Sequence, residues 1–244
     1  MMRFMRGAAT ARRKPTAGRP RASHLLSVSE IYHRLYAANG RQHWWPGNGA
    51  FEIMVGAVLT QNTAWTNVER AIVNLKRARA LSPAAIVHAH PRHLAAWLKP
   101  SGYFNVKARR LKALCRWVIE QGGVNKIARR ETAELRAALL TVHGVGPETA
   151  DDILLYSFKR PVFVIDAYTR RIFARLGLIS GDEPYEVLRG LFERKFGTSV
   201  SRFNEYHALI VIHGKEICKK QPLCYRCCLS QQCPSVDLRE SSGD

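Results

Sequence analysis

Large apolar residues recur at three- and four-residue intervals through most of this chain, the spacing that lays a stripe along one side of an α-helix. The first stripe, Ile31, Leu35 and Tyr36, follows a helix cap at Ser27-Val28-Ser29-Glu30 and stops at Asn39-Gly40. A loop rich in Pro and Gly comes next, QHWWPGNGAFE, carrying adjacent Trp44 and Trp45. From Phe51 to Leu59 the positions are mostly apolar, and the run breaks into Thr60-Gln61-Asn62-Thr63 before Trp65. Val68, Ala71, Ile72 and Leu75 make another stripe, with Arg70, Lys76 and Arg77 outside it. Pro83 and Pro91 each start a short helix, and a longer one after Gly102 sets Leu111, Leu114 and Val118 on one side and stops at Gly122-Gly123. Further helices are expected from Glu131 to Leu140, Tyr185 to Phe196 and Phe203 to Ile212. Only Pro161 to Ile165 has the composition of a strand, and it is too short and unpartnered to seed a sheet. The fold class is all-α.

The stretch from Leu139 to Ile172 stands out. It reads as the end of one helix, a tight turn at Gly144-Val145-Gly146, a second helix opening near Thr149, and a third capped by Asp166. Glycines in such a turn let backbone N–H groups approach a phosphate with no side chain in the way, and a helix N-terminus follows directly. Asp166 comes after the apolar run Val162 to Ile165, so one helix ties a phosphate holder to a lone acid.

Charge points to the same kind of partner. The 38 Lys and Arg residues outnumber 19 Asp and Glu, a net +19. Seven basic residues and no acid precede Glu30, which leaves +12 on the rest of the chain. A basic surface gains affinity for a nucleic acid by releasing its counterions. No apolar run reaches the roughly 20 residues that span a bilayer, and the start lacks the apolar segment of a secretory signal. The expectation is a cytoplasmic, nucleoid-associated monomer without a membrane. Residues 1–23, rich in Ala, Arg, Pro and Gly, read as a disordered basic tail or an organellar transit peptide, and 237–244 as a C-terminal tail.

Five of the six cysteines lie in CKKQPLCYRCCLSQQC. Cys218, Cys224, Cys227 and Cys233 give C-x5-C-x2-C-x5-C, and Cys228 in place of Cys227 gives C-x5-C-x3-C-x4-C. Zinc, an iron–sulfur cluster or disulfides would each use four such thiols, disulfides being the weakest case without an oxidising compartment. Cys115, alone on an apolar helix, reads as a core residue.

The segments LTQNTAWTNVERA, GYFNVKARRL, VHGVGPETA, VIDAYTRRI and HGKEIC with its cysteine loop, in this order, resemble the endonuclease III superfamily of helix-hairpin-helix DNA glycosylases. The resemblance implies two helical lobes with double-stranded DNA across the cleft between them. One lobe is a six-helix bundle, about 50–158, including the hairpin motif at 139–157; the other joins 24–49 to 159–236. It implies a [4Fe–4S] cluster on Cys218, Cys224, Cys227 and Cys233, and a monovalent cation at the hairpin carbonyls. The family's first cysteine loop is one residue longer, so Cys228 stays a rival for the third ligand.

The same resemblance assigns roles. Asp166 matches the catalytic aspartate, whose carboxylate stabilises charge on the sugar and orients or deprotonates water. Gln61 and Asn62 match the wedge that fills the gap left by a flipped base. Gly144, Gly146 and Thr149 of the hairpin, with Lys107, Arg109, Arg110, Lys219 and Lys220, are expected to meet the DNA backbone. Glu148 occupies the position of the lysine that attacks the sugar in bifunctional members, and a carboxylate forms no imine. Excision without strand cleavage follows. Trp44, Trp45 and Trp65 would line an aromatic pocket, which suits a cationic alkylated purine. With Glu148, these tryptophans resemble the type III 3-methyladenine DNA glycosylases, which lack the cluster cysteines. The expected activity is thus a monofunctional base excision repair glycosylase for alkylated purines such as 3-methyladenine. The rivals are a pyrimidine-lesion glycosylase with abasic-site lyase activity and a non-catalytic iron–sulfur DNA-binding module.

Overall fold

A computed structural model describes residues 25–44 and 47–236. The basic tail, Trp45 and the C-terminal tail lie outside these residues. Twelve α-helices account for most of the described chain, and it contains no strand.

Helix α1 (Val28–Asn39) is closed by the expected cap: the Ser27 hydroxyl accepts from the Glu30 N–H, and the Glu30 carboxylate accepts from the Ser27 N–H. α2 (Ala50–Leu59) is buried from Ile53 onward, as a helix apolar on every side must be. Around it pack α3 (Trp65–Arg77), α4 (Pro83–His88), α5 (Pro91–Leu98), α6 (Phe104–Glu120), α7 (Val124–Ile127), α8 (Thr132–Leu140) and α9 (Pro147–Asp152). The span 50–158 therefore holds eight helices where six were expected; the additions are short, α4 having six residues and α7 four. α9 begins at Pro147, ahead of Thr149, because proline's fixed φ and missing N–H suit the first helical position.

α9 runs on into a π-helical turn, Ile153–Ser157. An extended segment follows to Asp166, then α10 (Ala167–Arg175), α11 (Tyr185–Phe196) and α12 (Val200–Glu216). The last is longer than expected because Ser199 caps it, accepting from the Arg202 N–H. The strand-like Pro161–Ile165 pairs with no strand; the Phe163 N–H donates to Glu193 and the Ile165 N–H to the Tyr185 hydroxyl.

Two apolar cores result. One gathers Met54 to Leu59 with residues of α3, α5, α6, α8 and α9. The other gathers α1, Ile53, Phe163 to Ile165, α10, α11 and α12, with Phe163 stacked on Phe192 at 4.6 Å. The π turn is where the chain crosses between them: Ile153 and Leu154 belong to the first core, Leu155 and Tyr156 to the second. No described helix is long and apolar enough to cross a membrane.

Candidate active site

The polar break after α2 is a tight turn with Asn62 in the left-handed region (φ 55°), which Asn tolerates better than most residues. Gln61 reaches across to the hairpin: its Nε2 donates to the Gly144 carbonyl at 3.0 Å and to Thr149 Oγ1 at 2.9 Å, and its Oε1 accepts from Arg110. Gly144 (φ +85°) must be glycine on two counts, since a Cβ there would also lie 2.2 Å from Cγ of Arg110. Gly146 has ordinary φ, and a Cβ on it would meet nothing within 4 Å, so its backbone faces open space.

Lys107 departs from its expected role. It is buried, 1% exposed, and its ammonium donates to the carbonyls of Leu59 at 2.8 Å and Ser101 at 2.5 Å. Burial, with Arg110 nearby, lowers its pKa to about 8. A lysine so engaged cannot meet a phosphate; it anchors the end of α2 from which the Gln61 turn springs. Arg109, Lys219 and Lys220 are exposed, whereas Arg110 is partly buried against the hairpin.

One cleft brings together Gln61, Asn62, Arg110, the hairpin from Gly144 to Thr149, Asp166 and Arg170. Asp166 is buried at the N-terminus of α10, where its Oδ1 accepts from the Thr169 N–H at 2.7 Å and hydroxyl at 2.8 Å. Burial alone would raise its pKa; His207, 3.6 Å from Oδ2, and the two Thr169 donors outweigh it and bring the value below the ordinary carboxylate range. Asp166 is therefore ionised.

Glu148 presents the opposite case. It is exposed at the cleft, yet protein around its carboxyl group and the nearby Asp166 charge push its pKa up to about 7, against the pull of His207 and Arg170. Asp152, buried one turn further along, is held well above the usual range by burial and by the charges of Glu148, Asp166 and Asp151. The cleft thus combines a fixed anion and an acid that titrates near neutrality, with a buried carboxyl group of raised pKa behind them.

Neither Trp44 nor Trp65 joins it. Trp44 packs against the second core, and Trp65 against the first with its indole N–H on Glu69 at 2.9 Å. Both answer the apolar demand of the cores rather than line the cleft. Arg170, Tyr156, Tyr185 and His207, absent from the sequence expectation, stand at or behind Asp166. In the sequence they look like ordinary helix residues, and only the fold brings them together.

Cys218, Cys224, Cys227 and Cys233 border one apolar cavity, which Cys228 does not line. Arg175 donates to Cys218 Sγ at 3.2 Å, the Leu229 N–H donates to Cys227 Sγ at 3.4 Å, and the buried His213 ring lies 3.4 Å from the same sulfur. Among the described residues no three His, Cys, Asp or Glu side chains converge tightly enough to hold one metal ion.

Residues 55–197 match the HhH-GPD superfamily of base excision DNA repair proteins. A protein of Methanocaldococcus jannaschii, by its name a candidate DNA repair glycosylase, is 43% identical over 211 residues, 85% of this chain and 96% of its own. The solved structure of an H. pylori 3-methyladenine DNA glycosylase bound to 1,N6-ethenoadenine is similar with TM-score 0.69 and 29% identity, over 78% of this chain and 98% of that one. An endonuclease III–DNA complex shares the fold, with TM-score 0.73 and 20% identity over 85% and 94% of the two chains.

Proposed function

The chain belongs to the HhH-GPD superfamily of base excision DNA repair proteins and is a DNA glycosylase, and from that premise we propose that it excises alkylated purines by hydrolysis and leaves the strand uncut. The observation that carries this reading is the pair of unlike carboxyl groups in one cleft, an ionised Asp166 and, at the position of the family lysine, Glu148. In this reading DNA lies across the cleft between a lobe of residues 50–158 and one of 24–49 with 159–236. Gly144, Gly146 and the exposed Arg109, Lys219 and Lys220 meet the backbone, and the turn at Gln61 and Asn62 fills the gap left by the flipped nucleotide.

Asp166 acts on the sugar. Anchored through Oδ1, it keeps Oδ2 for the positive charge that grows as the glycosidic bond breaks, and orients the attacking water. The two carboxyl groups also favour a cationic base, and a cationic base departs without a proton donor. This support replaces that expected of Trp44 and Trp65, which pack against the cores. With no amine at position 148 the family's imine route to strand cleavage lacks its nucleophile.

The test is to incubate the protein with duplexes carrying methylated purines, thymine glycol, uracil or an abasic site, then split each reaction for alkali treatment and borohydride trapping. Breaks on methylated-purine duplexes only after alkali are expected. A trapped adduct would replace this reading with the lyase one, and no product on any lesion with the non-catalytic one. Because Glu148 loses its proton near pH 7, the single-turnover rate on the cationic base should rise several-fold from about pH 6 to about pH 8. Glu148→Gln should flatten that rise.

A [4Fe–4S] cluster on Cys218, Cys224, Cys227 and Cys233 completes the reading. Four thiols around one cavity, with N–H groups aimed at two sulfurs, fit a group in which each thiolate binds its own iron. They fit less well a single zinc with every sulfur about 2.3 Å from one centre. Bound there, the cluster would tie the C-terminal loop to Cys218, just past the end of α12, and add its binding energy to folding. Protein purified without oxygen should be brown and contain about four irons per chain; a colourless protein with stoichiometric zinc refutes the assignment.

A further inference from the structure

Asp166 has one oxygen saturated by Thr169, and behind its other oxygen lie two side chains from different elements. His207, on α12, is 5% exposed, and its Nε2 is 3.6 Å from Asp166 Oδ2 with no hydrogen-bond partner among the described residues. Its Nδ1 is 2.5 Å from the hydroxyl of Tyr156, which is fully buried. Tyr156 lies in the π turn, and such a turn carries one residue more than an α-helical turn, which re-aims the side chains after it.

Protonation states follow from the partners. Burial keeps the Tyr156 hydroxyl protonated far above neutral pH, and the Asp152 and Asp166 charges push the same way. An ionised carboxylate can only accept. The hydroxyl therefore donates to Nδ1, and the ring proton sits on Nε2, facing Asp166. Burying a ring N–H without a partner is unfavourable, so a packing role alone gives no reason for histidine here. The 3.6 Å gap is closed by a small rotation of the carboxylate, and catalytic contacts of this kind tighten when substrate binds.

We propose that Tyr156 and His207 form a positioning pair for Asp166, in which the phenol fixes the imidazole tautomer and Nε2–H holds Oδ2 in the orientation that serves the sugar. The inference rests on Asp166 being the catalytic carboxylate. Neither residue touches the reacting atoms, so their loss should slow the chemical step and leave DNA affinity alone.

The experiment uses the full chain and a duplex with one N7-methylated purine. Tyr156→Phe, which removes one hydroxyl from a ring that still fills its site, should lower the single-turnover rate about tenfold, the scale of one hydrogen bond. His207→Leu should lower it further, and His207→Gln, whose amide can donate near the place of Nε2, should recover most of that loss. Affinity for the duplex should match wild type, and the melting temperature of Tyr156→Phe should fall only by the several degrees that one buried hydrogen bond is worth, leaving the variant folded at the assay temperature. Unchanged rates in Tyr156→Phe and His207→Leu, with Asp166→Asn inactive, overturn the pair and leave the catalytic reading standing. An active Asp166→Asn overturns the catalytic reading itself. Rate losses that track lost affinity or unfolding at the assay temperature, or a His207→Gln no better than His207→Leu, also overturn the proposal. A readout independent of substrate is the ¹⁵N spectrum of the neutral His207 ring: Nε2–H is expected in wild type, and Nδ1–H there refutes the pair.

Discussion

Asp166→Asn is expected to lower base excision by a factor on the order of 10³ while the protein folds and binds DNA as before. The two effects separate because the carboxylate has two jobs on two oxygens. Oδ1 caps α10 by accepting from the Thr169 N–H and hydroxyl, and an asparagine oxygen accepts both equally well. Asn and Asp are near-equivalent N-caps, so stability should change by about 1 kcal/mol or less. In the proposed role Oδ2 faces the developing sugar cation, and there an amide NH₂ would present the wrong sign of charge. Single-turnover excision, calorimetric melting and binding to a duplex with an abasic-site analogue measure the three quantities. Turnover within tenfold of wild type would remove Asp166 from the mechanism.

Arg136→Ala is expected to destabilise the fold by about 3–5 kcal/mol, the cost of stranding a buried charge. Asp151 sits in the hairpin helix α9 with its side chain fully buried, and Arg136 of α8 donates to both its oxygens, at 2.7 and 3.2 Å. The same guanidinium reaches Glu186 of α11 at 2.6 Å, so one side chain fastens the hairpin to the second core. Arg189, at 4.0 Å, is too distant to take over. Burial still raises the Asp151 pKa despite these partners. Without Arg136 it would rise further above its unfolded value, so the variant's deficit should be smallest at low pH and grow as pH rises. Arg136→Met with Asp151→Leu should recover much of the loss, because the charge is then gone from both sides. Urea denaturation across pH checks each statement; a deficit below about 1 kcal/mol would mean that Asp151 is solvated after all.

α10 shows how site and cysteine loop are joined. Asp166 caps its start, while near its end Arg171 and Arg175 donate to the backbone of Gly214, Cys218, Lys219 and Lys220. One helix of nine residues therefore spans from the candidate catalytic carboxylate to the loop that would carry the cluster.

Much of this was legible in residue order. The Ser27–Glu30 capping box, the proline starts at Pro83 and Pro91, α11 from Tyr185 to Phe196 and the Asp166 cap are set by chemistry within four residues. Lys107 was misplaced for the converse reason. Its neighbours Arg109 and Arg110 suggest a basic surface, and nothing nearby in sequence shows that the carbonyl of Leu59, 48 residues earlier, waits for its ammonium. Trp44 and Trp65 misled similarly, since a loop indole and a core indole look alike until packing is known.

Periodicity, caps and the glycine turn are local properties, and from them the sequence by itself determined the helices, the hairpin and the place of Asp166 at a helix start. The tertiary structure alone decided that Gln61 is clamped by Arg110 and Thr149, and that Tyr156 and His207 stand behind Asp166, because those partners lie 49, 88 and 51 residues apart. Such pairings depend on how two cores pack around α2 and the π turn, and no rule of spacing reaches that far.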